Sequence, residues 1–385
     1  MSLSGPLASL HLSIVASSIA CGLGCAVSSQ HAEGDEARDV TDDAVVVDTS
    51  SPQARAQYDA DVAFASKYLA RCKSPKPALG HPRVLVTGFG RFLENETNAT
   101  GMMVSKVVPG GRYPLTHAPA PGAVDPPEPQ TAVVNATITL PKSGAVDVCA
   151  IVLPVYWDVA AILTIKEIDA FAPSFVLMNG IAGTEQPLWL ELGAVNRAMS
   201  LEDGSGALVA VAKPGASVAP LVPSATSTEQ KIGLMLSWTA VETAAQQAIA
   251  AHGADPEGGR AFSSIVLGAE LGGFPREGNT YLCNNLSYVV DYAMGHPGRT
   301  LTLLQASRPL ASKINKVTVR LAKDLRAVPR VFVHWPSTLS GKHLDAGAEV
   351  MRAIVDAQLD AIKHGDRPTV GNNARAEILP TGDTF

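Results

Sequence analysis

From residue 83 onward, short apolar runs alternate with stretches in which apolar residues recur every three or four positions. Arg83-Val-Leu-Val-Thr-Gly-Phe-Gly is an apolar run closed by glycines, the pattern of a strand covered on both faces. Residues 132–140 alternate as a strand, and 148–156, 174–180, 263–268 and 330–334 read as further strands. Helical spacing predicts helices over 98–108, 158–171 and 229–252, the last carrying Ile232, Leu236, Val241 and Ile249 on one side. A closing helix places Leu344, Met351, Val355, Leu359 and Ile362 together. Residues 117–130 hold five prolines and must be a loop.

Strands alternating with helices in this way predict an α/β fold: an open, mostly parallel twisted sheet with helices on both faces and loop insertions at 213–228 and within 295–328. Such sheets bind ligands beyond the carboxyl ends of their strands, which makes the turns after Val86, Met178 and Val333 candidate sites. Four stretches are expected: a signal at 1–25, an acidic tether with one helix (56–71) at 26–82, the sheet-bearing domain at 83–365, and an irregular tail at 366–385.

Apolar residues at 46% against 17% charged exclude wholesale disorder and a coiled coil. The net charge of −6 is concentrated: between Glu33 and Asp48 stand seven acids and one base, Arg38, which account for all of it. The neutral remainder has no Lys or Arg cluster, so nucleic acid is excluded as a partner. The apolar opening, with small residues before Cys21 and Cys25, reads as an export signal, although no Lys or Arg precedes Arg38. Cys21 or Cys25 could carry a lipid, which would be the protein's only membrane attachment, and the expected location is periplasmic, extracellular or lipid-anchored. Of the remaining cysteines, Cys72 and Cys149 could pair in an oxidising compartment, leaving the free thiol at Cys283.

Cys283 follows Gly278-Asn-Thr-Tyr-Leu and precedes apolar residues at helical spacing, Leu286, Val289, Val290 and Ala293. It therefore sits at a helix start, where unpaired N–H groups and the helix dipole favour the nucleophilic thiolate. The competing reading is a buried, inert cysteine. His334 closes the strand 330–334, just before Trp335-Pro336, and its imidazole could serve the cysteine as base and then as acid.

In order along the chain, Thr87-Gly-Phe-Gly-Arg-Phe92, Leu153-Pro-Val, Asn179-Gly-Ile-Ala-Gly183, Leu190-Glu191 with Ala194-Val-Asn196, Asn279-Thr-Tyr-Leu-Cys283-Asn-Asn-Leu286 and Val331-Phe-Val-His334 resemble the motifs of the pyroglutamyl peptidase I (pyrrolidone carboxyl peptidase) cysteine peptidases over residues 83–336. The resemblance implies Cys283 as nucleophile, His334 as base and Glu191 as the acid that orients the imidazole. It implies removal of amino-terminal pyroglutamate from a peptide through a thioester. Phe89 and Phe92 match aromatics that hold the flat lactam, with Tyr281 in place of a phenylalanine and Leu282 beside it. No cofactor is implied, and the partner is a peptide or amide whose amino terminus is blocked.

Two departures bear on substrate. Ile181 stands where the family has a glutamine that helps to recognise the lactam, and Arg197 is a shifted candidate for the family's arginine. Two alternatives follow: an amidohydrolase of the same fold with another substrate, or an exported binding protein without turnover. Oligomeric state is left open. Gly88-Phe-Gly-Arg-Phe is an incomplete dinucleotide loop, with Leu93 where the third glycine belongs, and the nine histidines show no metal spacing.

Overall fold

The computed structural model describes residues 45–211, 218–275, 280–308 and 314–377. The expected signal, Cys21, Cys25, most of the acidic run and Asn279 lie outside the described residues. The main sheet is built on seven strands: β1 (Arg83–Phe89), β2 (Ala132–Leu140), β3 (Gly144–Leu153), β4 (Phe175–Ile181), β5 (Gln186–Glu191), β6 (Val266–Gly272) and β7 (Arg330–Trp335). Their spatial order is β6-β5-β7-β4-β1-β3-β2. The pairs β6-β5, β7-β4, β4-β1 and β1-β3 are parallel, while β5-β7 and β3-β2 are antiparallel. The fold is thus the open, mostly parallel α/β sheet expected.

Six helices accompany it: α1 (Pro52–Lys67), α2 (Ala99–Val107), α3 (Val159–Phe171), α4 (Trp238–His252), α5 (Leu282–Gly295) and α6 (Gly341–Lys363). Side-chain alternation on β7 divides them between two faces. Trp335 points toward α6, where its ring lies 3.5 Å from the Cβ position of Gly347, whereas His334 points the opposite way. On α6, Leu344, Met351, Val355 and Leu359 are buried as expected, each worth roughly 1.5–3 kcal/mol by burial. Ile362, in the last turn, is exposed.

Three expectations are corrected. Helix α4 begins at Trp238 rather than 229, and Ile232 and Leu236 lie in the short strands Lys231–Gly233 and Met235–Leu236. Their apolar spacing fits a helix, but Gly233 lies so close to the carboxyl-terminal segment that a Cβ there would stand 2.1 Å from the Gly371 carbonyl oxygen. Their backbone groups pair instead with Gly193–Val195 and Thr369–Val370. The amino-terminal segment is no tether from Val45 onward. Val45–Val47 pairs with Val209–Val211, α1 buries Tyr58, Val62 and Ala65, and Cys72 is disulfide-bonded to Cys149 in the middle of β3. The buried Glu167 carboxylate accepts the N–H groups of Arg71 and Cys72 and the Tyr68 hydroxyl, and so fixes the end of this arm. The tail is likewise docked as far as Glu377, whose N–H donates to the Leu271 carbonyl at 2.9 Å.

Candidate active site

Three elements bring the predicted residues together. On β7, His334 stands directly opposite Gly180 of β4 on one side and Trp189 of β5 on the other. Directly opposed residues share a face, so His334, Gly180 and Trp189 line one side of the sheet, with Phe332 two residues before His334. Glu191, two residues beyond Trp189, is on that side as well. Its Oε1 lies 2.5 Å from His334 Nδ1, and both side chains are almost wholly buried, at 1% and 2% exposure. A carboxylate this close and this dry fixes the ring plane and favours the Nδ1–H tautomer.

Helix α5 supplies the sulfur. Tyr281 is its N-cap in extended conformation and Cys283 is its second residue, at the helix start expected. The Cys283 sulfur lies 2.8 Å from the position a Cβ would take on Gly180, beside Phe332 Cζ at 2.7 Å from the same point. A strand glycine often marks a close approach, and here it admits the sulfur to the face that bears the imidazole. Cys283 is 2% exposed.

The Cys283 sulfur is itself disulfide-bonded, which corrects the expectation of a free thiol. A sulfur at a helix start is readily oxidised, for the same reason that it makes a good nucleophile.

The expected aromatic residues fall in two places. Phe89, at the end of β1, is buried, and the β1-β4 register carries it onto the Cys283 face. Phe92 meets Tyr281 edge to face at 6.4 Å between centroids, and Tyr281 meets Trp157 at 5.5 Å. Leu282 is buried one residue before the sulfur. Ile181 is not brought to this group: it stands opposite Trp335, and alternation turns it to the α6 side of the sheet. Arg197 is half-buried, and its carbonyl accepts a hydrogen bond from Asn284 at 2.8 Å.

Sequence reasoning missed Gly180, Trp157 and the β5 strand that carries Glu191. The glycine inside a strand-like run was a signal; Trp157 had none. Behind Trp157, the buried Asp203 carboxylate accepts the Trp157 N–H at 3.1 Å and, at 2.8 and 3.2 Å, the N–H groups of Ser205 and Ala207. Burial pushes this carboxyl up to about 6 against the pull of those bonds. Among the described residues, no group of three or more His, Cys, Asp or Glu could hold a metal ion, and no helix is long and apolar enough to cross a membrane.

No family model matches the chain, and no curated protein matches it. Among solved structures it is similar to the pyrrolidone carboxyl peptidase of Thermococcus litoralis, with 16% identity, TM-score 0.42, and 74% of this chain and 97% of that chain covered. A single-residue variant of the Pyrococcus furiosus pyrrolidone carboxyl peptidase gives 15% identity and TM-score 0.44 over 73% and 99% of the two chains. The Bacillus amyloliquefaciens pyroglutamyl peptidase I gives 13% and 0.41 over 74% and 99%.

Proposed function

We propose that the protein is a cysteine hydrolase that cleaves the amide after an amino-terminal pyroglutamyl residue, with Cys283 as nucleophile, His334 as base and acid, and Glu191 as the group that orients the imidazole. The observation that supports this best is the buried Glu191–His334 bond on the face where the Cys283 sulfur packs against Gly180, the ladder partner of His334. A thiol reductant first frees the Cys283 sulfur. His334 then takes the thiol proton, and the thiolate adds to the scissile carbonyl, placing the negative charge on oxygen near the start of α5. Collapse of this adduct breaks the carbon–nitrogen bond, and the imidazolium gives its proton to the leaving amine. Water, deprotonated by His334, attacks the thioester and releases the acid and the thiol.

The edge-to-face group of Phe92, Tyr281 and Trp157 suits a flat, uncharged acyl group. The orientation of Ile181 toward α6 favours a second reading, in which the same three residues act on a different blocked-amine amide, because Ile181 offers the lactam no hydrogen bond there. Export fits the buried Cys72–Cys149 bond, since such bonds persist in oxidising compartments; recovery of the protein from the cytosol with that bond reduced would count against it.

The test is fluorescence release from pyroglutamyl aminomethylcoumarin in the presence and absence of dithiothreitol. Wild-type activity should require the reductant and vanish in Cys283→Ala. Equal rates for the two proteins would dispose of the proposal, and release from other blocked amides alone would select the second reading.

A further inference from the structure

Directly after the nucleophile stands Asn284, a polar side chain with no exposure at all. Its amide nitrogen donates to the carbonyls of Val195 and Arg197, each at 2.8 Å, and its carbonyl oxygen accepts the Val195 N–H at 3.0 Å. None of these bonds caps α5 from within, and the Tyr281 side chain at the N-cap bonds to the Glu202 carbonyl rather than capping the helix. All three run to one short segment, Val195 and Arg197, at and just past the end of the Gly193–Val195 strand, which begins two residues after Glu191. That segment is held in turn: the Leu192 N–H donates to the Gly272 carbonyl and the Leu192 carbonyl accepts the Leu234 N–H, both at 2.9 Å. The first turn of α5 is therefore moored to the backbone segment that follows the strand bearing the partner of the imidazole.

Asn285 makes a useful contrast. It is as deeply buried and also bonds in both directions, donating to Asp158 Oδ1 at 2.8 Å and accepting the Asp158 N–H at 3.2 Å. Its bonds lead to the start of α3, away from Glu191.

We propose that Asn284 is a positioning residue, which sets the place of the Cys283 sulfur relative to the His334–Glu191 pair by clamping the nucleophile's turn to the backbone just beyond Glu191. This rests on Cys283 and His334 being the reacting pair. A thiol is activated only while the imidazole can hold its proton, so loosening the clamp should raise the pH at which the thiolate forms.

The experiment uses the full chain in reductant and follows two quantities. One is the pH midpoint of Cys283 alkylation by iodoacetamide, assigned to the Cys283 peptide by mass; the other is kcat and KM on pyroglutamyl aminomethylcoumarin. Asn284→Ala should move the midpoint up by about one pH unit and lower kcat about tenfold or more, with KM within about threefold. Asn284→Ser, which keeps one donor, should fall between and serves if the alanine variant does not fold. Asn285→Ala should lose comparable thermal stability yet keep the wild-type midpoint. The inference is overturned if the Asn284 variants keep the wild-type midpoint, or if Asn285→Ala moves it equally. A wild-type midpoint at the ordinary thiol value would instead remove the reacting pair, and this inference with it. A depressed midpoint without turnover of any amide would defeat the peptidase reading while the Asn284 shift still decides the clamp.

Discussion

Gly180 and Cys283 share one space: the sulfur of the second occupies the room left by the missing side chain of the first, 2.8 Å from where a Cβ would stand. Because Gly180 is the ladder partner of His334, this vacancy is what lets a helix start approach the face of the sheet that bears the imidazole.

Gly180→Ala should therefore injure the site more than the fold. The new methyl group must displace the Cys283 sulfur or the Phe332 ring, whose Cζ would lie 2.7 Å away. Overpacking of this kind costs roughly 1–3 kcal/mol of stability, and a displacement near 1 Å at a reacting atom can cost about a hundredfold in rate. The expected result is a soluble protein with a lower melting temperature and kcat reduced about a hundredfold. Unchanged kcat would show that the sulfur need not lie against Gly180.

Glu191→Gln tests the orienting role without emptying space. The amide oxygen can still accept from His334 Nδ1–H, or the amide group can turn and stabilise the wrong tautomer, but the negative charge beside the imidazolium is gone in either case. A loss of about 10²- to 10⁴-fold in kcat is expected, with KM little altered. Retained activity in a protein whose melting curve matches wild type would remove Glu191 from the mechanism.

Much of this arrangement was legible in the chain. Apolar runs closed by glycines located β1 and β4, the run closed by His334 before Trp335-Pro336 located β7, and the switch from small polar to helical-period residues placed Cys283 at a helix start, because these patterns are local. What the pattern could not carry was non-local pairing. Glu191 lies on a strand antiparallel to its neighbour β7, and no nearby residue signals that pairing. The strands at 231–236 mimic a helical face because two apolar residues four apart suit either structure. Ile181 turns away from the sulfur because of strand alternation, which a motif read as a string does not convey.

The bond between Cys72 and Cys149 closes a loop with a sequence separation of 77. It joins the α1 arm to the middle of β3, beside Glu167 of α3, which already gathers the Arg71 and Cys72 N–H groups. By loop entropy such a link is worth about 4 kcal/mol. The double variant Cys72→Ser, Cys149→Ser should melt several degrees lower and be cut by protease between α1 and β1 faster than wild type. Equal melting temperatures would mean that the arm's packing and the Glu167 bonds suffice alone.

Stability should fall as pH rises from 5 to 8. Burial pushes Asp203 up to about 6, and burial together with the neighbouring Glu377 pushes Glu242 up to about 7. Both folded values exceed the unfolded ones, so the stabilisation is complete below about pH 4 and is lost as pH rises through the folded values. Asp203, fully buried, accounts for about 3 kcal/mol of that loss. In the other direction, Asp147 is held below its ordinary range by Ser74, Thr137 and His81, and Glu229 by Thr226 and His296, each against the cost of burial. Their stabilisation is present above the ordinary carboxyl range and disappears in strong acid, so stability falls on the acid side as well. Melting temperatures measured from pH 4 to 8 should trace this curve, and Glu242→Gln should flatten its alkaline limb. A melting temperature at pH 8 equal to or above that at pH 5 would show that these two carboxyl groups are not held in the protonated form by the fold.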